Sequence, residues 1–478
     1  MSDPEVIVVG GGISGLSAAW WLAQAGRSVE VWEQDARPGG KIETREADGY
    51  LTERAASIML NFRPEVSRML AATGLDADKI PCPRTLDDQR YLVQDGRLVP
   101  VPLRLGAFVL SPLLSLRGKL RLLAEPLVPR TGHPDETVSA FVHRRLGREM
   151  LEKLMEPFIA GPLASDPDQA SAQAVLPRLV ALERRYGSLA AGVFVHKVSR
   201  RRTAPIREMF SFRKGMAALV ETLTAAPGVR FRARCTATQL ESRKTGWRVA
   251  GSSPGGEHVA QARHLVLSVP AAAAATLVHP LDPELARLLR GIEYASMTVV
   301  HLAFDRCAVR HPLNGMGFLM PRVESAQLTG CQWISSSFPS RAPRGKVLLT
   351  CYVGGARAPE TRDWDDGRCI DAAMASLGSL LGIDAAPERV WIDRHERGLP
   401  LYHGAYPCRL RAMAERLGHW PGLHLAANYW GGVSVRDRIA NGYAVARRIE
   451  TSVGEPGAPW PLTPVHPLFA AAATRGSY

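Results

Sequence analysis

Residues 5–9, Glu-Val-Ile-Val-Val, make a short apolar run suited to a buried strand, and the run stops at a cluster of glycines. From about Leu16 to Ala25 the apolar positions take helical spacing, and residues 28–32, Ser-Val-Glu-Val-Trp, return to a strand pattern that ends at Glu33. This order predicts a parallel βαβ unit at the start of the chain. The stretch 99–189 is helix-like, with candidate helices at 112–123, 137–154 and 171–186. Pro126, Pro129 and Pro134 separate the first two, Asp135 is placed to cap the second, and Pro177 to kink the third. Strand patterns resume at 230–240, 247–250 and 264–269, and residues 294–355 read as mostly β, with pieces at 297–304, 317–320, 331–334 and 347–353. A last strand at 423–427 leads through a glycine-containing turn into a helix at 437–450. Residues 453–478 hold five prolines and little periodicity, and read as a disordered or loosely draped tail. There is no internal repeat.

No apolar run reaches the roughly 18 residues that a spanning helix needs. The longest, 265–278, carries Pro270 near its middle. Met-Ser-Asp-Pro-Glu at the start has no basic segment of the secretory kind, so a soluble protein on the cytoplasmic side is expected. Among 59 basic residues only 8 are Lys, and the net charge of +13 favours anionic partners: a carboxylated substrate, an anionic membrane surface or nucleic acid. No basic segment interleaves with stacking aromatics, which argues against nucleic acid. The densest basic cluster, Arg200, Arg201 and Arg202, reads as a solvated loop. Seven scattered cysteines without a C-x-x-C pair fit free thiols in a reducing compartment, and no residue set has metal-ligand spacing.

The chemistry begins at Gly10-Gly11-Gly12-Ile13-Ser14-Gly15, a G-x-G-x-x-G between strand and helix. Glycines there permit a tight turn, and the helix N-terminus offers free N–H groups to a diphosphate. Glu33 ends the second strand, where its carboxylate can accept from ribose hydroxyls. Together these imply a dinucleotide. Arg37-Pro38-Gly39-Gly40-Lys41 then continues the motif in the manner of flavoproteins of the amine oxidase and desaturase class. At the far end, 423–428 and Gly431-Gly432-Val433-Ser434-Val435-Arg436-Asp437 bring a second helix N-terminus, suited to negative charge on a reduced flavin ring. No Ser-His-Asp set, paired catalytic carboxylates or reactive Cys motif is present, so no side chain is assigned as catalytic.

The middle of the chain resembles the protoporphyrinogen and coproporphyrinogen oxidases over about 430 residues. The blocks that carry this are Asp48-Gly49-Tyr50-Leu51-Thr52-Glu53, Arg90-Tyr91 before Asp95-Gly96-Arg97-Leu98, Glu156-Pro157-Phe158-Ile159-Ala160-Gly161, Glu183-Arg184-Arg185-Tyr186-Gly187-Ser188-Leu189 and Phe212-Arg213-Lys214-Gly215-Met216. To these are added Gly317-Phe318-Leu319-Met320-Pro321, Gly330-Cys331-Gln332-Trp333 and the run from Phe338 to Leu349. The chain departs from the family pattern at Ala55-Ala56, Ala427, Leu401 and Ala405-Tyr406.

The resemblance implies an α/β fold with three parts: a Rossmann-like FAD-binding domain (1–80, 205–280 and 416–452), a mixed β-rich substrate domain (81–98 and 281–415), and a helical, membrane-associating insertion (99–204). It places FAD on Gly10–Gly15, Glu33, Gln34, Lys41, Ala55, Ala56, Ser57, Ile58, the backbone at Cys235, Asn428, Val433, Ser434 and Val435. It matches Arg90 to a propionate-pairing arginine and Gly161 to a residue whose backbone faces a pyrrole N–H. The implied function is oxidation of a porphyrinogen to the porphyrin in haem biosynthesis, by hydride transfer to flavin N5 over three cycles, with molecular oxygen as acceptor. The other readings are a related FAD oxidase or desaturase on another apolar substrate, and a catalytically silent tetrapyrrole-binding flavoprotein. A homodimer and peripheral attachment to the inner face of the membrane belong to the same expectation. Residues 99–123, where apolar stretches alternate with Arg104, Arg117, Lys119 and Arg121, fit either an interfacial site on anionic lipid or a buried helix pair with a solvated basic face.

Overall fold

The computed structural model describes residues 3–87, 89–102, 111–133, 135–199 and 208–451; the basic cluster at 200–202 and the tail at 453–478 lie outside them. The opening apolar run forms the strand Val6–Val9, with Val29–Trp32 parallel on one side and His264–Leu267 parallel on the other. Val229–Arg232 and Leu423–Leu425 complete an all-parallel sheet of five strands. Ile7 pairs with Glu30 and Leu265, and Leu265 in turn with Leu423, so three distant stretches of chain meet in one layer. Every position of the first two strands is buried, as a sheet covered on both faces requires. Glu30 is the exception to its apolar surroundings. Burial raises its pKa, but hydrogen bonds from Arg232, His258 and Trp32 outweigh that and hold it below the usual carboxylate range. The helices Ile13–Gln24 and Val435–Thr451 touch backbone to backbone on one face, where a Cβ on Gly442 would fall 2.7 Å from the Ala18 nitrogen.

A second sheet has seven strands in the order Arg389–Pro400, Tyr294–Asp305, Lys346–Gly354, Leu328–Gln332, Gly317–Leu319, Tyr91–Gln94, Arg97–Pro100. It is antiparallel except where Phe318 pairs in parallel with Tyr91. Asp95 and Gly96, both at positive φ, turn the hairpin at its edge. The helix Asp366–Leu381 covers one face with Cys369, Ala373, Leu377 and Leu381, a stripe at helical spacing.

The helical region is held by a buried ion-pair network. Arg145, fully buried, lies 2.5 Å from Glu125 and 3.6 Å from Glu183, and donates to the Val128 and Gly187 carbonyls at 2.8 and 2.6 Å. Glu125 in turn accepts from the Leu189 and Ala190 N–H groups and from the Ser188 hydroxyl, capping the helix Leu189–Ser199. No described helix is long and apolar enough to cross a membrane.

Several sequence expectations are corrected. The single strand at 230–240 is two strands, parted at Arg234 with φ 53°, that join different sheets. Thr137, not Asp135, caps the helix Val138–Leu146, because its hydroxyl accepts from Ala140 N–H at 3.2 Å. Pro177 does not kink a helix but starts one, Pro177–Tyr186, at the position where its missing N–H is harmless. The segment at 112–123 begins its helix only at Leu116, capped by Ser115.

Candidate cofactor and substrate cavity

One cavity of about 1420 Å³ opens between the C-terminal ends of the parallel strands and the seven-stranded sheet. At one end the glycine turn shapes it. Gly10 has φ 108°, and a Cβ there would meet the Ser268 carbonyl at 2.8 Å; a Cβ on Gly15 would meet the Gly10 carbonyl at 2.0 Å. A Cβ on Gly12 would meet nothing within 4 Å, so open space lies directly against the helix start. Gly12 caps that helix without a side chain, which leaves its first N–H groups aimed at that space. This is the arrangement a diphosphate requires. Gly10, Gly12, Ile13 and Ser14 line the cavity, while Gly11 and Gly15 do not; those two are packing positions of the turn.

Glu33 is buried on the cavity wall, with one carboxylate oxygen accepting from Gly11 N–H at 2.6 Å and the other from Asp35 N–H at 2.9 Å. Each oxygen keeps a second lone pair for a ribose hydroxyl. Gln34 and Cys235 line the same end. The Cys235 N–H is spent on the Glu33 carbonyl at 2.8 Å, so the carbonyl of Cys235 is what its backbone can offer a ligand. The turn Ala55, Ala56, Ser57 and Ile58 lines the middle, where the Ser57 hydroxyl donates to Gln332 at 2.9 Å. Asn428, Val433, Ser434 and Val435 line the far wall. There Ser434 donates to the Asp437 carboxylate, which fixes the first turn of the helix Val435–Thr451.

Lys41 reaches across the cavity: its Nζ donates to the carbonyls of Arg397 and Gly398 on the strand Arg389–Pro400. Burial, with the Arg54 charge adding to it, pulls this ammonium down to about 8. A diphosphate bound beside it would favour the charged form, so the site would take up a proton above that pH. FAD affinity is then expected to be full below pH 8 and to weaken as pH rises beyond it, by up to tenfold per unit. Fluorescence titration of apoprotein across this range is expected to show the break, and Lys41→Met to flatten it.

The remaining chamber is apolar, with Gly161, Leu163, Val175, Met297, Phe318 and Leu319 on its walls. Gly161 sits in the last turn of the helix Glu156–Leu163, where carbonyls lack intrahelical partners, and it presses on Leu319 so closely that a Cβ would lie 2.7 Å from the leucine. Arg90 is placed elsewhere. It is not among the lining residues, and its guanidinium pairs with Asp87 at 3.0 Å. Sequence reasoning missed Tyr294, His395, Arg397 and Leu399, all on the wall. Burial, together with the charges of Lys41 and Arg54, keeps His395 below the ordinary histidine range, and its Nε2 lies 2.8 Å from the Arg54 carbonyl.

A glycine turn between strand and helix, a buried carboxylate at the end of the second strand and a second helix N-terminus on one long cavity have the layout of a flavoprotein oxidoreductase, and comparison agrees. The chain belongs to the flavin-containing amine oxidoreductase family, whose sequence profile matches residues 13–450. It is 30% identical to the chloroplastic protoporphyrinogen oxidase of Nicotiana tabacum, over 94% of this chain and 86% of that protein. With the coproporphyrinogen III oxidase of Bacillus subtilis it shares 27% identity over 93% and 98% of the two chains. A solved structure from Exiguobacterium, itself a proposed protoporphyrinogen oxidase, superposes with a TM-score of 0.78 at 25% identity, covering 95% of this chain and all of that one.

Proposed function

We propose that this chain oxidises a porphyrinogen, protoporphyrinogen IX or coproporphyrinogen III, to the porphyrin, with FAD as cofactor and molecular oxygen as the final acceptor. The observation that carries the reading is continuity: the dinucleotide end and the apolar chamber are one cavity of about 1420 Å³. FAD bound there would supply hydride acceptance from the macrocycle's bridging carbons, two electrons at a time. The protein's own part is positioning and exclusion of water. Leu163, Val175, Phe318 and Leu319 offer flat apolar contact to a macrocycle, and the Gly161 carbonyl accepts a pyrrole N–H. The N-terminus of the helix Val435–Thr451 opposes negative charge gathering on the cofactor ring. Arg90, engaged with Asp87 away from the wall, is no part of this proposal. The purified protein is expected to show flavin absorption bands, to bleach when a porphyrinogen is added without oxygen, and to recover in air as porphyrin fluorescence grows. Flavin bands that persist with both porphyrinogens would refute it.

The helix Leu116–Leu123 and the turn after it expose Leu116, Leu120, Leu123 and Leu127, the last at 85%. Their spacing puts them on one face, and Arg117 and Arg130 stand exposed nearby. Val193 and Phe194 add exposed apolar surface on the helix Leu189–Ser199. We assign this face to the surface of an anionic bilayer. The protein is expected to float with vesicles containing phosphatidylglycerol and not with phosphatidylcholine alone, and Leu120→Glu with Leu123→Glu to abolish flotation.

A further inference from the structure

Among the described residues four arginines line the cavity, and three are already engaged. Arg54 is held by Glu43 at 3.3 Å and lies 3.7 Å from Asp393. Arg436 donates to the Leu60 carbonyl and stacks over Phe62, and Arg438 donates to the carbonyls of Ala427 and Trp430. Arg397 differs. Among the described residues its guanidinium has no hydrogen-bond or carboxylate partner, and it is exposed on the wall. Its place is fixed by its own backbone, because its carbonyl accepts from Lys41 Nζ. Lys41 follows Gly39 and Gly40 directly. Gly39 bridges to Gly12, and a Cβ on Gly40 would lie 3.3 Å from the Gly12 Cα. A short chain of contacts therefore links the backbone of Arg397 to the glycine turn, and its guanidinium stands on the wall of the same cavity. An arginine kept without a counter-ion in a partly enclosed cavity is matched to an oxyanion that arrives from outside, since its planar fork accepts two oxygens at once.

We infer that Arg397, from the seven-stranded sheet, closes over the diphosphate of FAD opposite the glycine turn, so that the cofactor ties the two sheets together. The inference rests on reading the cavity as the FAD site. It gives Lys41 a second role, as the tether that holds the Arg397 backbone in register with the turn.

An oxyanion in this cavity has two sources, the cofactor diphosphate and a substrate carboxylate, and the test separates them. Apoprotein is titrated with FAD, with riboflavin, which has the ring but no diphosphate, and with ADP. Arg397→Ala is expected to raise the Kd for FAD and for ADP by about 10–100-fold, the effect of losing a charge-assisted hydrogen bond, and to leave riboflavin binding unchanged. Arg397→Lys should recover part of the loss, and the FAD Kd of Arg397→Ala should depend less on salt than that of wild type. Wild-type apoprotein that binds no FAD would overturn the reading of the cavity itself. Wild type that binds FAD, with Arg397→Ala binding it equally well, would overturn the inference alone. An unchanged FAD Kd with a raised KM for porphyrinogen would also overturn it and move Arg397 to the substrate carboxylate.

Discussion

Gly15→Ala is expected to give a protein that purifies with almost no flavin. The added methyl would sit 2.0 Å from the Gly10 carbonyl oxygen and 3.0 Å from the Ser268 hydroxyl oxygen. The first is backbone of the turn itself and cannot swing aside as a side chain would. Relief therefore comes from opening the turn, which displaces the N–H groups at the helix start. A diphosphate held by several charge-assisted hydrogen bonds of about 1.5–3 kcal/mol each would lose more than one of them, a weakening of at least about a hundredfold. Gly12→Ala is the informative partner. Gly12 has an ordinary φ of −72°, and its Cβ would point into open space. That variant should fold with unchanged apoprotein stability and yet bind FAD poorly, because only the cofactor meets the methyl. The ratio of flavin to protein absorbance, with thermal melts of both apoproteins, distinguishes the two modes of failure.

Arg145→Ala is expected to destabilise the folded chain by about 3–5 kcal/mol, as breaking a buried ion pair from one side does. The loss exceeds that of an exposed pair because Glu125 stays behind, 1% exposed, with its charge no longer countered by Arg145. Two carbonyls, of Val128 and Gly187, lose their donors in the same step. Arg145→Met with Glu125→Gln should recover part of the loss, since it removes both charges while keeping much of the volume. Denaturant melts of the single and double variants measure the coupling. An exposed pair such as Arg148–Glu152, with Arg148 side chain 77% exposed, is the control and should change stability by less than about 1 kcal/mol when broken.

The parts of the site that were legible in the sequence are those whose meaning is local. The run before Gly10, the glycine spacing and Glu33 lie within one βαβ unit, so pattern alone identifies them. The same holds for 423–435. The strand Arg389–Pro400 was not legible, because Arg389, Asp393, Arg394, Glu396 and Arg397 mask its short alternation of Val390 and Ile392. Its partner, Tyr294–Asp305, lies some ninety residues earlier, and only the paired register brings His395 and Arg397 to the cavity. Arg90 lies off the wall for the opposite reason. Its motif was readable, but Asp87, three residues before it, takes the guanidinium. A side chain's final partner is decided by local competition that no motif records.

The parallel sheet imposes an order in time. Val6–Val9 leaves the ribosome well before its neighbour His264–Leu267, some 250 residues on, and before the edge strand Leu423–Leu425, later still. At synthesis rates of about 5–20 residues per second, the first strand waits roughly 20–80 s for the sheet to be complete. For the first part of that interval, until His264–Leu267 emerges, its second edge has no native partner. Nascent chains stalled before residue 260 are therefore expected to be degraded by protease at the N-terminal segment and to associate with holdase chaperones there. Release of the full chain should make the same segment resistant. The cavity is thus completed only when residues 427–438 arrive, long after its glycine turn has been translated.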